Sequence, residues 1–179
     1  MRPRSYQENV ESIDWAEEFR LFRKYDWRKL NKIQLGRYAE YFVKMEFALL
    51  GFDVYVPEVD DHGIDFVIRK DERKYYDIQV KSRRGLKPLI IRQDKFAPRR
   101  NLYAAVVIFH SGSLPNLYLI PSMQWDLSHR LRSGTYWSNR LFVSHRIGGK
   151  GKSTWGLNIS SRNEQRLEKF EFRKMAKKL

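Results

Sequence analysis

Apolar residues follow a helical period at the start of the chain and a strand period after it. Trp15, Phe19 and Phe22 recur at spacings of four and three, the apolar face of a polar helix over 9–29. The period is stronger from 35 to 50. There Leu35, Tyr38, Phe42, Met45 and Leu49 form one stripe, and Gly51 is a helix stop. Alternation in twos then predicts a short strand at 53–56 ended by Pro57, an acidic turn at 58–63, and a strand at 64–69. A hairpin turn at 70–73 and a third strand at 75–82 follow. Residues 83–101 are basic and irregular, with Pro88, Pro98 and a short strand at 89–92. Leu102 to His110 is the most apolar run and reads as a buried central strand. Residues 117–120 form another strand, and Ser122 caps a helix reaching about Leu131. Residues 134–147 and 155–159 are β-rich around a glycine-lysine loop, and 163–179 is a charged helix. The expected organisation is an N-terminal helical extension, 1–30, and a single α/β domain, 31–179.

Composition narrows the class. The 179 residues include no cysteine, which excludes a disulfide framework, thiolate zinc and cysteine nucleophiles. No apolar run approaches the roughly 18 residues of a membrane helix, and the polar N-terminus lacks a signal-peptide core. A cytoplasmic protein with no membrane partner is expected. The net charge of +14 is unevenly spread. The first 80 residues carry 14 Lys/Arg against 16 Asp/Glu, and the rest carry 21 against 5. Such asymmetry points to a polyanionic partner, nucleic acid first.

Candidate chemistry lies on the third strand. Tyr76, Ile78 and Val80 face one side; Tyr75, Asp77, Gln79 and Lys81 face the other. On the preceding strand Ile64, Phe66 and Ile68 make the apolar face, which turns Asp65 away from the core. A hairpin across 70–73 brings Asp65 beside Gln79 and Lys81 if the register aligns the two faces. One carboxylate, the Gln79 amide oxygen and the Val80 backbone carbonyl are candidate oxygen ligands for Mg²⁺, which takes few protein ligands and keeps several waters. Lys81 is placed to orient water and offset charge at a phosphate. Asp77 is the nearest rival acid; Glu58, Asp60 and Asp61 are others.

The order of these residues is informative. Gly36-Arg37-Tyr38-Ala39-Glu40 lies on a helix, Gly63-Ile64-Asp65 on a strand and Ile78-Gln79-Val80-Lys81-Ser82 on the next. Over about residues 33–83 this resembles the PD-(D/E)xK nuclease superfamily, in the D-QxK variant of Mrr-like restriction enzymes and group I intron homing endonucleases. The resemblance implies a restriction-endonuclease-like α/β core, a mixed β-sheet flanked by helices, built as helix, three-strand meander, helix and strand. It implies a Mg²⁺-dependent DNA endonuclease, with Mn²⁺ able to substitute. Asp65 and Gln79 would hold the metal, with Glu40 reaching it or its water, and Lys81 would be the catalytic lysine. A noncatalytic nucleic-acid-binding protein of the same fold and an RNA-processing subunit are the alternatives. A homodimer is a candidate assembly, with the Trp15–Phe19–Phe22 face as contact.

Arg83, Arg84, Lys87, Arg92, Lys95, Arg99 and Arg100 follow the lysine strand and suit a phosphate backbone. Lys150 and Lys152 sit in a basic loop that approaches a P-loop. Arg146 replaces its first glycine and a strand, not a helix, follows, so nucleotide binding is not expected. Trp125, Tyr136, Trp137 and Trp155 are candidates for stacking on bases.

Overall fold

The computed structural model describes residues 20, 24–59, 63–125, 141–146 and 153–179. The Trp15–Phe19–Phe22 face, Asp60, Asp61, His62, Tyr136, Trp137, Lys150 and Lys152 lie outside them. So does the expected helix beyond Trp125.

A 3₁₀ turn, Trp27–Lys29, leads into helix α1, Lys32–Leu49. Asn31 starts it with a capping box. The Gln34 N–H donates to its side chain at 2.9 Å, and its own N–H donates to Gln34 Oε1 at 2.8 Å. Gly51, at φ 80°, ends it. The buried face keeps Leu35 of the expected stripe, and Phe42 packs at its edge, but the face is rotated away from Met45 and Leu49. Leu35, Ala39, Val43 and Phe47 point inward, while Met45 is 65% exposed and Leu49 72%. Phe47 decides the rotation, because it packs edge-on against Phe52, Phe66 and Phe172.

The strands are β1 Asp53–Tyr55, β2 Phe66–Asp71, β3 Lys74–Arg84, β4 Leu89–Arg92, β5 Leu102–Phe109, β6 Asn116–Pro121, β7 Phe142–Arg146 and β8 Ser153–Leu157. A five-stranded mixed sheet has the order β1-β2-β3-β5-β6. Its β3–β5 pair is parallel and its other pairs antiparallel. A three-stranded antiparallel sheet, β4-β8-β7, lies beside it. The expected α/β fold, a mixed sheet flanked by helices, is therefore present. Strand β5 is buried along nearly its whole length, as its continuous apolar run requires.

Two expected elements differ. The β3–β5 crossover holds β4 and a 3₁₀ turn, Gln93–Lys95, in place of a helix. Pro88 and Pro98 interrupt helical hydrogen bonding there, and β4 finds its ladder on β8 instead. The C-terminal helix is broken into a 3₁₀ segment, Glu164–Phe170, and a short α2, Phe172–Ala176. Glu171 between them is extended and bridges to Tyr118 on β6. Its carboxylate accepts from the N–H groups of Arg173 and Lys174 and so caps α2. Ser122 is no simple cap either: its hydroxyl donates to the Arg99 carbonyl at 2.7 Å and accepts from the Arg99 N–H at 2.9 Å.

Candidate functional site

The β2–β3 register sets the site. Phe66 pairs with Ile78 at the start of β2, and Asp65, the position before it, lies at the end of that ladder beside β3. The Asp65 N–H donates to the Ile78 carbonyl at 2.9 Å, and its Oδ2 accepts from the Val80 N–H at 2.5 Å. The chain turns away just before this point, at Gly63, where φ is +76°. Beyond Ile78, β3 continues to Arg84 paired with β5 on its other edge. Among the described residues no strand pairs with the edge that β2 has left. A cleft of about 940 Å³ opens there. The first turn of α1 (Lys32, Leu35, Gly36) forms one wall, and β4 with its approach (Lys87 to Arg92) forms another. Asp65, Gln79, Val80, Lys81 and Lys95 also line the cleft.

Gln79 is the unusual member. It is only 3% exposed, and its Oε1 has no hydrogen-bond partner among the described residues. A buried amide oxygen without a partner costs about 1–3 kcal/mol. A cation reached through the cleft would remove that cost. The donors at hand, a carboxylate and an amide oxygen, are hard oxygens of the type Mg²⁺ prefers, and the Val80 backbone faces the same edge. The described residues hold no cluster of three acidic or histidine side chains, so this pair relies on one negative charge. Lys81 follows Gln79 by two positions, on the same face of β3, and lines the cleft.

The other expected acids lie elsewhere. Glu40 is half-buried on α1, paired with Arg37 at 2.7 Å, and does not line the cleft. Asp77 accepts from Arg99 at 2.7 Å and Asn101 at 3.3 Å, so its charge is already balanced. Glu58 is exposed and also outside the lining.

The described cleft lining carries seven cations and one acid. Arg83, Arg84, Lys87, Arg92 and Lys95 are there as expected, and Lys32 from α1 joins them. Sequence spacing gave no signal for Lys32, because only folding brings the start of α1 to β3. Two of these arginines are engaged. Arg84 donates to the carbonyls of Trp27 and Leu30, tying the 3₁₀ turn to β3. Arg92 is paired with Asp94, whose carboxylate holds the guanidinium pKa above its ordinary value. Arg99 lies outside the lining on Asp77, and Arg100 is exposed and outside it. Trp125 and Trp155 are buried, donating their indole N–H groups to the Gly156 and Phe96 carbonyls. They are core residues and not stacking platforms.

No protein-family model matches the chain, and no curated protein does. Among solved structures, the chain is similar to Hjc, a Holliday junction resolvase from the archaeal hyperthermophile Archaeoglobus fulgidus. The match has a TM-score of 0.37 and 18% identity, covering 64% of this chain and 84% of that one.

Proposed function

We propose that the chain is a Mg²⁺-dependent endonuclease of the PD-(D/E)xK type, in its D-QxK form, acting on DNA phosphodiesters. One observation carries this reading: Asp65, just before β2, reaches the Val80 N–H of β3 with its carboxylate at an open strand edge, and the oxygen of the neighbouring Gln79, Oε1, is buried there without a partner. Asp65, Gln79 and the Val80 carbonyl would hold Mg²⁺ or Mn²⁺. When bound, such an ion stabilises charge on a phosphoryl oxygen and lowers the pKa of water. The chain's own residues do the rest. Lys32, Arg83, Lys87 and Lys95 receive the flanking phosphates. Lys81 offsets charge that develops at the scissile phosphate. Glu40 takes part only if its ion pair with Arg37 opens.

The test is a Mg²⁺/Mn²⁺ cleavage panel over linear, branched, flapped and single-stranded DNA. Asp65→Ala and Lys81→Ala are expected to cut at least about 10²–10³-fold more slowly while DNA binding survives. Wild-type rates in both variants would make the site wrong. The excess of seven cations over one acid favours a second reading, a nucleic-acid-binding protein without catalysis. It predicts steeply salt-dependent binding and no metal-dependent cleavage of any substrate in the panel.

A further inference from the structure

Trp125 and Trp155 are buried, but other rings are exposed beside the site. Register places Asp53, Arg69 and Tyr75 in one row across β1, β2 and β3, and Tyr55, Val67 and Asp77 in the next. Strand alternation puts both tyrosines on one face of the sheet, the face that Gln79 and Lys81 share on β3. The Arg69 guanidinium lies 5.3 Å from the Tyr55 ring centre and 5.9 Å from that of Tyr75. It donates to the Tyr75 hydroxyl at 3.5 Å and to the Asp53 carboxylate at 3.1 Å. The rings are thus braced, yet Tyr55 is 44% exposed and Tyr75 48%. Val56 and Val59, on the connection from Tyr55 to Asp65, are more exposed still.

Asp53 offsets the charge of Arg69, so this row attracts a ligand through ring faces more than through charge. Ring faces suit nucleobases. In a duplex those faces are covered by neighbouring base pairs, and only an unpaired base offers them. Val67, opposite Tyr55, is two positions from Asp65, about 7 Å along the chain. Arg69, opposite Tyr75, is four positions away, about 13 Å. We propose that Tyr55 and Tyr75, braced by Arg69, form a stacking platform for unpaired bases next to the scissile phosphate. The preferred substrate is then DNA with a single-stranded arm. This rests on the nuclease reading above and names its substrate class.

Fluorescence anisotropy of the full chain, without metal, compares a flapped DNA with a continuous duplex of equal length at equal salt. The wild type should bind the flap about fivefold or more tighter, the lower end of what one stacked base contributes. Tyr55→Ala and Tyr75→Ala should each weaken flap binding about fivefold or more. Duplex binding and the salt slope should stay as in wild type, because no phosphate contact is lost. Tyr55→Phe and Tyr75→Phe keep the ring and should bind the flap within about twofold of wild type. A 2-aminopurine in the arm should be quenched when the wild type binds, a readout that needs no variant to fold. An unquenched arm overturns the platform, as do alanine variants that bind the flap like wild type or lose flap and duplex equally. If the wild type cuts DNA with Mg²⁺ but shows no flap preference, the platform alone is wrong. If it binds neither DNA, the nuclease reading falls, and this proposal with it.

Discussion

Neighbouring arginines on β3 have separate tasks. Arg83 and Arg84 both line the cleft, but Arg84 is bound to two main-chain carbonyls and Arg83 has no such bond described. Arg84→Ala is therefore expected to destabilise the fold by about 1.5–3 kcal/mol in urea denaturation, the usual worth of charged hydrogen bonds. Arg83→Ala should leave stability within about 0.5 kcal/mol of wild type. Its DNA-binding salt slope, d log K/d log[salt], should shrink by about 0.9, one phosphate contact. The reverse pattern would exchange their roles. Asp77 teaches the same lesson. It shares a face with Gln79 and Lys81, so alternation alone leaves it as a rival ligand. Only the fold brings Arg99 and Asn101 onto it. Asp77→Asn should leave cleavage and Mn²⁺ binding intact and cost no more than about 1 kcal/mol, because the ion pair is partly exposed.

Most elements were readable because period is a local property. Strand β4 falls on the expected residues, and β3 and β5 differ only at their ends. Helix α1 was readable as a helix but not in its orientation. Both the stripe through Met45 and Leu49 and the row through Val43 and Phe47 are apolar, and the partner surface chooses between them. Phe47→Ala should cost about 3–5 kcal/mol by leaving a cavity among Phe52, Phe66 and Phe172. Met45→Ala and Leu49→Ala should each stay within about 0.5 kcal/mol, since both side chains are largely exposed. Urea midpoints check the contrast, and equal losses at all three positions would restore the original stripe. The break at Glu171 was likewise hidden, because its cause is a bridge to Tyr118, distant in sequence.

At the scale of the molecule, charge and burial have different pH signatures. Burial raises the phenol pKa values of Tyr103 and Tyr118 above 10.0, with Glu164 adding to the effect at Tyr118. Below about pH 10 both folded and unfolded chains keep these protons, and stability is flat on their account. As pH rises past that point the unfolded state ionises first, so stability falls through the folded pKa. Urea midpoints at about pH 8 and about pH 11 should differ in that direction; an unchanged midpoint would remove the tyrosines from the account. No helix among the described residues is long and apolar enough to cross a membrane. The sequence by itself determined the strands, the order Asp65, Gln79, Lys81 and the basic character of the second half, because periodicity and charge travel with the chain. The tertiary structure decided where the cleft opens, since that depends on the β2–β3 ladder ending at Phe66 and Ile78 while β3 runs on to Arg84. It also decided which cations face the cleft, since hydrogen bonds from distant segments hold Arg84 and Arg99 and folding brings in Lys32. Gln79 shows the division most clearly: its position is written in the strand alternation, but its buried, unpartnered oxygen exists only in the folded chain.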